Sequence, residues 1–263
     1  MRRTVLRAAA VLAAATSMAG CGDSGSPSTD SQVNFNIATR PAASTATIAA
    51  SMALSSAGTP ETYTDGTNTL VIDRVQLVLG EIELKRADSA GTCADPGSDA
   101  CEQLELGPVL LDLPLGGTGG AARTFSVAIP PGTFDEVDFE VHKPSSGEDA
   151  AFVQANPGFD GVSVKVTGSY NGQAFTYTSD LDAEEEIALN PPLVVNASTS
   201  TDLTLFVDLN RWFRDGSGSL VDPATANIGG ENESLVKSTI TSTLHAFEDE
   251  DRDGTDDHSG SGL

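Results

Sequence analysis

Between Thr69 and Arg86 the chain reads TLVIDRVQLVLGEIELKR, the longest β-branched and aliphatic run outside the N-terminal segment. Val71, Val75, Leu77 and Leu79 alternate with more polar positions, the period of a strand with one buried face. After Gly80 the parity flips to Ile82 and Leu84. A one-residue bulge at Gly80 would return both sets to one face, and glycine tolerates the bulged backbone best. The run therefore predicts a long, bent central strand.

The flanking segments follow the same alternation. Val33, Phe35 and Ile37 predict a first strand, while Ala42 to Leu54 is weakly patterned and compatible with strand or helix. Val109, Leu111 and Leu113 alternate between Pro108 and Pro114. Phe125, Val127 and Ile129 are joined through Pro130-Pro131-Gly132-Thr133 to Val137, Phe139 and Val141, which reads as a hairpin or an arch. Val162 to Tyr170 and Gln173 to Ser179 flank Asn171-Gly172, a strong hairpin signal. Glu184 to Ala188, Leu193 to Asn196 and Leu203 to Leu209 supply further strands. Near the end, Val236, Ile240, Leu244 and Phe247 recur at helical spacing over Glu231 to Phe247, although Ser238-Thr239-Ile240-Thr241 would also suit an edge strand. The expected fold is all-β, an antiparallel β-sandwich of Ig or transthyretin type with a short C-terminal helix.

The N-terminus changes the compartment. Arg2, Arg3 and Arg7 precede a short apolar stretch from Ala8 to Ala15, too short to span a bilayer. It ends in Ser17-Met18-Ala19-Gly20-Cys21, which resembles a bacterial lipobox with Met18 where Leu is usual. The resemblance implies cleavage after residue 20, lipidation of Cys21 and anchoring to a membrane. Residues 21–32 are then the lipidated Cys and a Gly/Ser/Pro/Asp linker reaching on the order of 18 Å. Residues 33–247 form the sandwich and 248–263 an acidic tail. With Gly22 rather than Asp after the lipidated residue, the same resemblance implies the outer rather than the inner membrane of a Gram-negative envelope.

Export also frames the remaining cysteines. Cys93 and Cys101 flank a Pro-Gly turn in GTCADPGSDAC, a spacing that suits a structural disulfide in an oxidising compartment. The chain carries 38 acidic against 14 basic side chains, a net charge of −24. Such a field repels phosphate backbones, so nucleic acid is excluded as a partner, and it favours cations.

Glu248 onward reads EDEDRDGTDDHSG. Asp249, Asp251, Asp253, Gly254, Thr255 and Asp257 fall on positions 1, 3, 5, 6, 7 and 9 of a calcium loop. Position 12 is Gly260 instead of a bidentate Glu, and the pattern is similar to the DxDxDGxxD loops of thrombospondin type 3 repeats and dockerins. A solvated acidic tail is the competing reading. Trp212, the only tryptophan, lies in DLNRWFR and is either a cap on the core or a platform for a sugar. His142, His245 and His258 show no HxH or HExxH spacing. Ser234 and Lys237 match S-x-x-K without its partner motifs, and no catalytic constellation emerges.

The stretches VLGEIELKR, CEQLELGPVLLDLPL, PPGTFDEVDFEVHK and VDLNRWF resemble a family of uncharacterised bacterial lipoproteins carrying a domain of unknown function. The resemblance covers roughly Val33 to Phe213 and implies the sandwich but no catalytic residue. Two functions are compatible with these readings. The first is a non-enzymatic binding or structural module of the cell envelope, with a protein or carbohydrate ligand. The second is a carbohydrate-binding or hydrolytic accessory domain using Trp212.

Overall fold

A computed structural model of the chain describes residues 31–41, 59–87, 107–116 and 119–258. The signal segment, Cys21, Ala42 to Leu54, Cys93 and Cys101 lie outside the described residues.

The described residues form two packed sheets, an antiparallel-rich β-sandwich. The first has four strands in the order β11(Leu244–Glu248), β10(Ser200–Val207), β1(Ser31–Ala38), β5(Ala122–Ile129). The second runs β8(Gln173–Ser179), β7(Val164–Tyr170), β3(Thr69–Arg86), β6(Gly132–Val141), β9(Ala183–Val195). Short strands β2(Glu61–Thr64) and β4(Val109–Asp112) also pair with β3. The expected central strand is thus real and touches four partners. One pair departs from the antiparallel expectation, since β1 runs parallel to β10.

The bulge at Gly80 is present. Leu79 faces Val141 and Ile82 faces Phe139, so β3 carries one extra residue there, and Leu77, Leu79, Ile82 and Leu84 all reach the core. A second bulge lies at Asp73, between the Ile72–Gly168 and Arg74–Thr167 pairs. It places Leu70 and Ile72 in the core and leaves Val71 half-buried, the reverse of the sequence reading. With three aliphatic residues in a row, parity at Leu70-Val71-Ile72 is not readable from the pattern.

Pro130-Pro131 joins β5 in one sheet to β6 in the other, so the hairpin-or-arch alternative resolves to an arch. Asn171 and Gly172 take φ of 50° and 79° between β7 and β8, the paired positive values of a two-residue hairpin turn. The first strand begins at Ser31, inside the expected linker. Ser31 is buried and its hydroxyl donates to the Asn196 carbonyl at 2.6 Å.

The C-terminal helix is shorter than the spacing predicts. It spans α3(Glu233–Thr241), following α1(Ala150–Ala155) and α2(Leu209–Trp212), and Leu244 to Phe247 lie in β11. Val236 and Ile240 are buried as a helical pair. The hydroxyls of Thr239, Thr241, Ser242 and Thr243 all donate to carbonyls one turn back, which competes with the helical ladder. The chain then offers its next five residues to the open edge of β10, with Leu203 facing Glu248 and Val207 facing Leu244.

Candidate metal centre

The end of β11 delivers Asp249 to the margin of the first sheet. Asp249 is fully buried, with 0% exposure, and its carboxylate accepts from Thr204 Oγ1 at 2.9 Å on β10. It also accepts from the N–H groups of Asp253 at 3.0 Å and Gly254 at 3.1 Å. The chain thus wraps around its own first acidic residue. Asp251 Oδ1 accepts from the Asp253 N–H at 3.1 Å, and Asp253 Oδ1 accepts from the Thr255 N–H at 2.8 Å and from the Thr255 hydroxyl. Asp257 Oδ2 accepts from the Glu250 N–H at 2.7 Å and closes the loop.

Two residues with positive φ make the wrap possible, Arg252 at 56° and Gly254 at 78°. A Cβ at residue 254 would lie 3.0 Å from the Arg40 carbonyl oxygen, so both conformation and space favour glycine. The loop is tied to the sandwich through the Arg252 carbonyl, which accepts from the Ala121 N–H at 2.9 Å. The acidic segment is therefore folded onto the domain as far as residue 258, against the reading of a solvated tail.

Asp249, Asp251 and Asp253 each bring a carboxylate oxygen within 4.8 Å of the others, an arrangement able to hold a metal ion. Burial pushes the Asp249 carboxyl up to about 6, against the pull of Thr204 and the Gly254 amide, with the Asp253 charge adding to the rise. Thr255 and Asp257 stand in the same loop but outside that trio.

Trp212 is elsewhere and is not a surface platform. It is fully buried, its indole N–H donates to Thr243 Oγ1 at 2.9 Å, and its carbonyl accepts from Thr239 Oγ1 at 2.7 Å. Short helix α2 turns the chain inward, so Trp212 and Phe213 both enter the core, where Phe213 meets Tyr177 edge-on at 5.2 Å. An indole in that position closes the core and cannot stack on a sugar.

The structure also assembles residues the sequence reading did not group. Among the described residues, two further carboxylate-bearing groups able to hold a metal lie on or beside β6 and β9: Glu140, His142 and Asp182, and Glu136, Asp138 and Glu186. In the second, the Lys85 ammonium already bridges Asp138 and Glu136. The one signal in sequence was that Glu136, Asp138, Glu140 and His142 share the polar parity of a strand.

No family model matches the chain, and no curated protein matches it. Among solved structures it is similar to MbnP from Methylosinus trichosporium, at 13% identity over 70% of this chain and 78% of that one, with a TM-score of 0.36. A likeness of that size carries no functional argument.

Proposed function

We propose that this chain is a non-enzymatic lipoprotein of the bacterial cell envelope, a binding or structural module that holds calcium in the loop from Asp249 to Asp257. The observation that carries the calcium reading is the buried Asp249 with Asp251 and Asp253 turned toward it. A buried carboxylate among other carboxylates is unfavourable unless a cation joins them. The donors are all hard oxygens, which suits calcium, a cation that takes roughly six to eight oxygens at about 2.3–2.6 Å. The Thr255 carbonyl and Asp257, directly or through water, would complete the set. Gly260 supplies no bidentate carboxylate, so the expected affinity is on the order of 10⁻⁴–10⁻³ M.

Bound calcium would fasten the end of β11 to the segments around Arg40 and Ala121, and so lock the edge of the first sheet. Calorimetry is expected to show one calcium taken up by the wild type at millimolar concentration. Asp251→Asn/Asp253→Asn should lose that uptake with little change in melting. Equal uptake by both proteins would reduce the loop to an acidic turn.

The lipobox resemblance and the family resemblance support the envelope location, with a lipid anchor on Cys21 and the outer membrane as destination. Detergent phase partitioning tests this part separately. The wild type is expected in the detergent phase and Cys21→Ser in the aqueous phase or left unprocessed. A wild-type chain found wholly in the aqueous phase would refute the anchor. The rival reading, a sugar-binding or hydrolytic accessory domain built on Trp212, loses its residue to the core.

A further inference from the structure

On the outer face of the second sheet, β6 presents Glu136, Asp138 and Glu140, with His142 next after the strand's end. His142 is held from both sides. Its Nδ1 lies 3.1 Å from Glu140 Oε1 and its Nε2 lies 3.0 Å from Asp149 Oδ2. Asp149 is itself fixed, because the same oxygen accepts from the Ser145 N–H at 2.9 Å. Asp182, in the turn between β8 and β9, brings a third carboxylate within 4.8 Å of the Glu140 and His142 donors. We propose that Glu140, His142 and Asp182 form a site for a divalent cation of the zinc class, separate from the calcium loop and independent of it.

Donor type decides the class. An imidazole nitrogen with two carboxylates is a borderline set that suits zinc and its neighbours, whereas calcium takes oxygen alone. Around a tetrahedral zinc with bonds of about 2.0–2.1 Å, neighbouring donor atoms sit about 3.3 Å apart. The Nδ1–Oε1 separation of 3.1 Å is already close to such an edge. The Asp149 carboxylate on Nε2 supplies the outer hydrogen bond that fixes the tautomer and ring plane of a metal-bound histidine. With Nε2–H donating to Asp149, Nδ1 is the ring nitrogen on the Glu140 side that would coordinate.

The surroundings favour a cation over the internal ion pair alone. The ring sits among three carboxylates, those of Glu140, Asp149 and Asp182. Beside it opens a groove of about 590 Å³ lined by Glu81, Glu83, Asp138 and Glu184 as well as Glu140 and Asp182, with Lys85 as its one cationic lining residue. Within that groove Oδ1 of Asp138, a residue 5% exposed, is buried with no hydrogen-bond partner. An unmet acceptor on the wall of the groove that Glu140 and Asp182 also line suits the donor of a bound ligand. Close approach of β3 is permitted by Gly80, where a Cβ would stand 2.5 Å from Glu140 Oε2 and 2.6 Å from His142 Cβ.

The test is calorimetric titration of the full chain with zinc chloride, backed by the visible spectrum of the cobalt(II) form. Wild type is expected to bind one zinc at this site. His142→Gln and Asp182→Asn should each weaken binding at least tenfold and abolish the tetrahedral cobalt bands. Asp149→Asn, which touches no metal, should weaken it about tenfold while keeping those bands. Asp251→Asn/Asp253→Asn should bind zinc like the wild type, which separates this site from the calcium loop. Absence of zinc uptake by the wild type, or uptake unchanged in both His142→Gln and Asp182→Asn, would overturn the proposal. Loss of zinc uptake in the calcium-loop variant would overturn it as well. Because Asp182 is exposed, that variant is expected to keep the wild-type melting temperature, so its result reads binding rather than folding.

Discussion

Replacing Trp212 by alanine is expected to lower the free energy of unfolding by about 3–5 kcal/mol, the usual range for a large aromatic removed from a core. The residue has no exposed surface, and its loss would leave a void beside Phe213, which packs on Tyr177 and Phe175. It would also leave the buried Thr243 hydroxyl oxygen without the indole N–H it accepts, while its one proton still reaches the carbonyl of Thr239 or Ile240 at the end of α3. Trp212 therefore couples α2 to the helix end that sends the chain into β11. Trp212→Phe should recover most of the apolar packing and cost less, since it forfeits mainly the hydrogen bond and part of the volume. Urea denaturation of the three proteins reads this directly. If Trp212→Ala melted like the wild type, the indole would not be the core residue the structure shows.

How far the sequence foretold this architecture depends on whether each signal was local. The bulge at Gly80 was readable because the apolar parity breaks there and a glycine stands at the break. The Asn171-Gly172 turn was readable because two consecutive positive φ values select those residue types. The acidic loop was readable too, since all its donors come from nine consecutive residues. The end of α3 was not. Leu244 continues the helical spacing of Val236 and Ile240, and only the vacant edge of β10, set by residues far along the chain, recruits it into a strand. The Glu140–His142–Asp182 group was hidden for the same reason. Glu140 lies on the polar face of β6 and His142 just past its end, but the third member arrives from the β8–β9 turn. Trp212 was ambiguous in sequence because a single aromatic at a strand's end fits a cap and a platform equally well, and only the inward turn of α2 separates them.

Gly168→Ala is the second substitution with a large expected effect, and it probes the bulge that the pattern concealed. Gly168 lies on β7 opposite Ile72, at the point where β3 gains its extra residue Asp73. A methyl group there would stand 2.0 Å from the Val71 carbonyl oxygen and 3.1 Å from Ile72 Cα. Both are backbone atoms in the central strand, so no side chain can rotate away, and either β7 must lift from β3 or the bulge must unwind. Overpacking that flexible neighbours absorb costs about 1–3 kcal/mol. With backbone on both sides the expected loss is at the top of that range, about 3 kcal/mol or more. Gly172 provides the comparison four residues later in the same hairpin. Its φ is 79° but nothing lies within 4 Å of a Cβ, so Gly172→Ala meets only the conformational penalty, about 1 kcal/mol. Chemical denaturation of the two variants should therefore rank Gly168→Ala well below Gly172→Ala in midpoint, with similar slopes. Equal midpoints would mean that β7 does not approach β3 this closely, and that the Asp73 bulge does not set the register of the sheet.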